Sequence, residues 1–250
     1  SRKEIARSLA VSESSIGRWM NLLEFGKPAL LPKVLSIDEF RGNTEYGKFQ
    51  CILTDPVHKR IVDVLPTRYH AQIYDYLLAF QNRNQVQYFV MDMNREYLDI
   101  ARKLLPNAQI VIDRFHVVRY CTWALENVRK RVQMKLLPEQ RKYFKRSRKL
   151  LLAHMHDLSA ENKAAVERML LISRDLREAY LLKEKFYDFM DSADSVQAKE
   201  RLRIFRTHAF VADLPEFVPC LTMLKNWEPY ILNAFDCPYS NGFTEGINNK

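Results

Sequence analysis

The chain has little glycine, no paired cysteines and no long apolar run. Only six glycines occur in 250 residues, and none forms the Gly-rich loop that cradles phosphates, which argues against a nucleotide-binding enzyme. The four cysteines, Cys51, Cys121, Cys220 and Cys237, are scattered with no C-x-x-C pair. They are expected to be reduced and mostly buried in a cytosolic protein, and a zinc site is not expected. No stretch approaches the length of a membrane span, and no signal-peptide pattern opens the chain. A hydrophobic content of 47% argues against disorder, and 250 residues hold one large domain or two small ones. The net charge of +9 suggests an anionic partner, although a generally soluble basic protein would carry the same charge.

Residues 1–25 read as two short helices. Ile5, Ala6 and Leu9 recur at helical spacing, Ala10-Val11-Ser12 breaks the run, and Ile16, Trp19 and Met20 form a second stripe. Ser12 or Ser14 can cap the second helix. This is a helix-turn-helix pattern, which would turn Ser14, Ser15 and Arg18 outward toward phosphates or base edges. An ordinary helical hairpin gives the same pattern. The first helix of such a module is expected before Ser1. Residues 26–33, with Gly26, Pro28 and Pro32, read as a linker.

Residues 34–40 are an apolar run that ends in two carboxylates, Asp38 and Glu39. Such a run reads as a strand buried on both faces, and packing alone does not require an acid at its end. Asp38 is therefore expected to belong to a carboxylate cluster that holds a divalent metal. Further strands are expected at 47–54, 60–65, 86–91 and 109–112, with helices at 69–80 and 94–105. The fourth and fifth strands also end in acids, Asp92 and Asp113. The order strand, strand, strand, helix, strand, helix, strand is that of an α/β, ribonuclease-H-like mixed sheet. It makes the first and fourth strands neighbours and brings Asp38 next to Asp92. Two carboxylates placed together repel unless a cation lies between them, and Mg²⁺ prefers such hard oxygen ligands. Asp92 can equally serve as the cap of the helix that follows it.

From residue 120 to 238 helical periodicity prevails, with helices expected at 123–134, 142–158, 160–173, 176–190, 195–208 and 217–235. Leu150, Leu151, Leu158, Leu170, Leu171, Leu181 and Leu182 read as the core of a bundle. The densest basic run holds Arg141, Lys142, Lys145, Arg146, Arg148 and Lys149. Together with Arg129, Lys130 and Arg131 it can follow a phosphate backbone, or it can be a solvated helix face. Trp227 and Tyr230 can stack on a flipped base, but core packing is the better reading for both. Residues 239–250 are polar. Ser240 or Asn241 can cap a helix from whose first turns Glu245 projects, and Gly246 permits close approach of backbone or ligand.

Several segments together resemble the DDE transposases of the L-three group of bacterial insertion sequences. They are Ser36-Ile37-Asp38-Glu39-Phe40, Met91-Asp92-Met93 followed by Tyr97, Pro106-Asn107-Ala108-Gln109-Ile110-Val111, Asp113-Arg114-Phe115-His116-Val117, and Ser240-Asn241-Gly242 with Thr244-Glu245-Gly246-Ile247-Asn248. The resemblance implies a catalytic, metal-binding triad of Asp38, Asp92 and Glu245, supported by Asp113, His116 and Asn248. It also implies Mg²⁺, with Mn²⁺ as a substitute. It divides the chain into a core at 34–119, a large all-helical insertion at 120–238, and the start of a final core helix at 239–250. The implied activity is metal-dependent cleavage and strand transfer at insertion-sequence ends. The implied partners are terminal inverted repeats, target DNA and further copies of the chain, in the bacterial cytoplasm at the nucleoid. A zinc-binding module upstream of the helix-turn-helix and a basic helix beyond Glu245 are expected from the same resemblance. Two other readings remain: a non-catalytic DNA-binding regulator, and a structure-specific nuclease of the same fold.

Overall fold

The computed structural model describes residues 2–22, 26–44, 47–146 and 148–248. The side chains of Met20, Lys145 and Arg146 lie outside the described set, as do residues 249–250. The chain forms two units, residues 1–30 and 31–250. In the first, α1 (Arg2–Ser8) and α2 (Glu13–Leu22) flank a turn in which Ala10 adopts φ 53°. Ser12 caps α2, its Oγ accepting from Ser15 N at 3.1 Å. Ala6 and Ile16 are buried, whereas Ile5, Leu9 and Trp19, expected on the apolar faces, stay exposed. Two helices this short cannot cover all the apolar residues that they carry.

In the second unit, β1 (Val34–Thr44), β2 (Gly47–Asp55), β3 (Arg60–Leu65), β4 (Tyr88–Met91) and β5 (Gln109–Ile112) form one mixed sheet in the order β3-β2-β1-β4-β5. β1 pairs antiparallel with β2 and parallel with β4, and β4 pairs parallel with β5. This order and polarity are consistent with a ribonuclease-H-like domain. α3 (His70–Leu78) and α4 (Arg95–Leu104) connect the strands. Tyr97, Ile100, Ala101 and Leu104 of α4 are buried, as the spacing requires.

α5 (Arg114–Met134) starts at the end of β5, nine residues earlier than the 123–134 helix expected from periodicity. It is followed by α6 (Pro138–Arg146), α7 (Arg148–Leu152), α8 (Ala160–Leu170), α9 (Arg174–Met190), α10 (Ser195–Ala212) and α11 (Val218–Asp236). The helix expected to run to 158 thus ends at Leu152, and a 3-10 turn follows at Met155–Asp157. Side chains of α9 stop it: Tyr187 Oη donates to the carbonyl of Leu152 at 2.8 Å and Lys183 Nζ to that of Ala153 at 2.5 Å. Leu151 and Leu182 are buried as expected, but Leu171 and Leu181 are exposed and do not belong to the core.

One apolar core runs from Leu35 and Ile37 of β1 through Val128 of α5 to Phe186 and Phe205 of the helices. On the sheet's other face Val34, Val90 and Val111 pack on Ala234 and Cys237. α12 (Gly242–Asn248) closes the described chain. All four cysteines are free and buried. No helix among the described residues is long and apolar enough to cross a membrane.

Candidate active site

Register places three acids at one level. Ser36 of β1 lies opposite Val90 of β4, so Asp38 and Asp92 each stand two residues further along parallel neighbours. Met91 lies opposite Ile112 of β5, so Asp92 and Asp113 are the next residues on adjacent strands. Asp92 and Asp113 directly follow the carboxyl ends of β4 and β5, where α/β sheets gather their functional groups. Asp38 instead lies inside β1, which does not end at the acids as expected. Its parallel pairing with β4 stops at Ser36, and it runs on to Thr44 in antiparallel pairing with β2.

The helices divide the roles of these acids. α4 is capped by Asn94, whose Oδ1 accepts from Glu96 N at 2.8 Å, so Asp92 does no capping. Asp113 caps α5, accepting from Phe115 N at 3.4 Å. The first turn of α5 carries His116, and its Nε2 lies 3.1 Å from Asp92 Oδ1 and 3.9 Å from Glu245 Oε1. Asp38 is fixed on both oxygens: Oδ1 accepts from Glu39 N at 2.7 Å and Oδ2 from Asn248 Nδ2 at 2.7 Å.

Glu245 reaches the rim on α12, which a buried polar lock ties to the sheet. Thr244 Oγ1 lies 2.7 Å from Thr54 Oγ1, Ser36 Oγ donates to Asn241 Oδ1, and Asn241 Nδ2 donates to the carbonyl of Ile37 at 3.3 Å. A Cβ at Gly246 would meet nothing within 4 Å, so no neighbouring backbone requires that glycine.

Ligand-capable atoms of Asp38, Asp92 and His116 lie within 4.8 Å of one another, as do those of Asp113, His116 and Glu245. The expected triad is thus gathered as two groups joined through His116, not as one. Burial pushes the carboxyl of Asp92 up to about 8, with the charges of Asp38 and Asp113 adding to it. Burial, then Asp113, pushes Glu245 up to about 7, and burial pushes Asp38 up to about 6. Asp113 is also raised by burial, while His116 is lowered by it. Among the described residues, Asp92 Oδ1, Asp113 Oδ2 and Glu245 Oε1 are buried with no hydrogen-bond partner, and Asp113 and Glu245 face each other closely enough to share a proton. Buried oxygens of one sign, short of hydrogen-bond partners, are what a hard divalent cation completes, and an oxygen-rich set with one imidazole suits the Mg²⁺ and Mn²⁺ class.

Glu39 escaped the sequence reading as a structural anchor. It accepts from Arg68 at 2.7 Å, from Tyr97 Oη at 3.0 Å and from Asn94 at 3.3 Å, which ties β1 to α4 beside Asp92. The adjacency of Asp38 and Glu39 hides the difference, because successive strand residues face opposite sides. The polar lock was missed because its members lie about two hundred positions apart.

The basic run is only partly available to a ligand. Arg141 donates to the carbonyls of Met134 and Leu136 at the end of α5. Arg148 lies 3.5 Å from Glu126, while Lys142 and Lys149 are exposed. Arg129 is buried against Glu126, and Arg131 is held by Asp175 and Glu216, so neither belongs with a DNA-facing surface. Trp227 is buried, as core packing requires. In the first unit Ser14 and Arg18 are exposed, and Ser15 is half-buried with its hydroxyl 2.9 Å from that of Ser12.

A family model described as a transposase, of the insertion-sequence DDE type, matches residues 35–250. No curated protein and no solved structure matches the chain.

Proposed function

The chain belongs to the L-three group of DDE transposases, and from that premise we propose that it cuts and joins DNA at the carboxylate cluster, with Asp38, Asp92 and Glu245 as the catalytic acids. The observation that carries this reading is the set of buried carboxyl oxygens on Asp92, Asp113 and Glu245 that have no hydrogen-bond partner among the described residues. Folding gains nothing from such an arrangement, since like charges in a buried site repel. Asp92 is the better second acid because Asn94, not Asp92, caps α4, whereas Asp113 is committed to α5.

Asp38 and Asp92 would hold one cation from the sheet, and Glu245 would complete the set from α12. A divalent ion bound there lowers the pKa of a water or a DNA 3′-hydroxyl and stabilises the leaving oxygen of an in-line displacement. Asn248 orients Asp38 through the 2.7 Å bond to Oδ2. Asp113 fixes the start of α5, and thereby the imidazole of His116, which sits between Asp92 and Glu245. No side chain needs to form a covalent bond to DNA. The first unit would read terminal repeats through Ser14, Ser15 and Arg18, and Lys142, Lys145, Arg146, Arg148 and Lys149 would follow the backbone, with Arg141 contributing less. Joining two ends calls for two or more copies.

The test is Mg²⁺- or Mn²⁺-dependent nicking of DNA that carries the element's ends, with strand transfer of pre-cut ends as a second assay. Asp92→Asn should lower cleavage by about a thousandfold and leave DNA binding intact, while Asp113→Asn should spare more activity. The reverse ranking would make Asp113 the second acid. Binding without cleavage by the unaltered chain would favour a regulator, and cleavage without joining a nuclease.

A further inference from the structure

α5 carries an exposed stripe that neither packing nor the acid cluster accounts for. Phe115, Arg119 and Trp123 stand four residues apart on one face, with Tyr120 beside them. Phe115 is 54% exposed and Trp123 49%, large apolar areas to leave in water next to a functional site. The Arg119 guanidinium lies over the Trp123 ring at 4.6 Å, and Tyr120 lies against that ring at 5.8 Å. Arg119, Tyr120 and Trp123 line a groove of about 410 Å³ that also contains Asp92 and His116, while Phe115, at the rim, lines a neighbouring one of about 470 Å³ with Asp113 and Glu245.

Arg95, at the start of α4, lines the groove of Asp92 and Trp123 and another of about 480 Å³ with Arg102, Lys225 and Tyr230. Arg95, Arg102 and Lys225 are exposed, and the Arg102 guanidinium lies 5.7 Å over the ring of Tyr230. Of the acids lining these two grooves, Glu39 is paired with Arg68 at 2.7 Å and Asp99 with Lys103 at 2.8 Å, which leaves Asp92, the acid of the cluster itself, at the rim end. The path is therefore basic and aromatic by turns, which is the composition of a single-strand binding groove.

Resting on the transposase reading, we infer that unpaired DNA next to the scissile phosphate stacks on the Phe115–Arg119–Trp123 stripe, and that its backbone continues past Arg95 toward Arg102 and Lys225. Each four-residue step along α5 rises about 6 Å, well beyond the 3.4 Å spacing of about one base step in a duplex strand. Such spacing suits a strand whose bases are splayed apart. Aromatic faces accept any base, so the groove would hold the strand without reading its sequence.

The test uses the full chain in EDTA with a mixed-sequence oligonucleotide containing 2-aminopurine, offered single-stranded and as a duplex. Single-strand binding should quench tryptophan emission and change the 2-aminopurine signal. Trp123→Ala should weaken single-strand binding by about ten- to hundredfold and abolish most of the quench, with duplex binding nearly unchanged. Trp123→Phe should retain most of the affinity, and Arg95→Ala should reduce the slope of log affinity against log salt by about 0.7. Asp92→Asn should bind the single strand at least as well as the unaltered chain. Trp123→Ala binding both probes like the unaltered chain would overturn the inference. So would failure of the unaltered chain to bind the single strand while it still cleaves end-containing DNA, an outcome that leaves the transposase reading standing.

Discussion

The helical stretch and the rim of the sheet treat buried charge in opposite ways. Along the helices several cations drawn inward arrive with an acid, although Arg114 is satisfied instead by the carbonyls of Met190 and Ala234. Arg129 meets Glu126 in a two-pronged pair at 2.7 and 2.8 Å, Arg206 meets Glu228 at 2.6 Å, and Arg131 bridges Asp175 and Glu216. Lys183, fully buried, bonds to Glu184 and lies 4.0 Å from the ring of Tyr180. At the rim, Asp38, Asp92, Asp113 and Glu245 are gathered with one histidine and, among the described residues, no lysine or arginine in hydrogen-bond contact. The first pattern is what folding demands of a buried charge. The second opposes folding, and so points to something that binds there.

The largest effect on stability should come from breaking the paired pattern. Arg129→Ala leaves Glu126 buried with only the more distant Arg148, and should destabilise the chain by about 3–5 kcal/mol, read by urea melts. Asp92→Asn should have the opposite sign without metal, raising the melting temperature because it removes one of the mutually repelling acids. If both changes destabilise alike, the contrast between the two regions does not hold.

A smaller effect is expected where the rim depends on α12. Thr244→Val keeps the side-chain shape but deprives the Thr54 hydroxyl of its 2.7 Å partner. The loss should be about 1–3 kcal/mol. Cleavage should fall by about ten- to a hundredfold, because Glu245 is the next residue and small displacements of a reacting group are costly. A stability loss with unchanged cleavage would mean that the lock serves the fold alone.

The three acids of the sheet were legible because each follows an apolar run that only a buried strand explains: residues 34–37 before Asp38, 86–91 before Asp92 and 109–112 before Asp113. The division of labour between Asp92 and Asp113 was not, since it turns on whether the acid itself or Asn94, two residues on, takes the helix cap. Nor was the convergence of Glu245, which depends on contacts between Ser36, Thr54, Asn241 and Thr244 that leave no local periodicity. The end of α7 at Leu152, short of the expected 158, was hidden for a related reason. Residues 142–158 contain neither proline nor glycine, and the end is set by Tyr187 and Lys183 reaching across from α9. The stripe of α5 shows the same limit. Phe115 and Trp123 have the spacing of core residues, and only their exposure separates them from Val117 and Val128.

The finest distinction between the regions is their response to pH. An unfolded Asp or Glu titrates near about 4, whereas in the fold Asp38 is held up to about 6, Glu245 to about 7 and Asp92 to about 8. Between those limits the folded chain binds more protons than the unfolded one, so metal-free stability should fall as pH rises. His116, lowered by burial, works against this trend below about 6.5, which makes pH 7 to 8 the clean window, with Asp92 the main group still titrating. Asp92→Asn should flatten the slope there, and a helical change such as Glu228→Gln should not. A cation in the site replaces those protons and stabilises only the folded chain. At ten times its dissociation constant it should add about 1.4 kcal/mol at pH 8, and much less at pH 5, where protons hold the carboxylates. Thermal melts with Mn²⁺ or EDTA at both pH values measure this directly, and equal stabilisation at pH 5 and pH 8 would place the ion somewhere other than the rim.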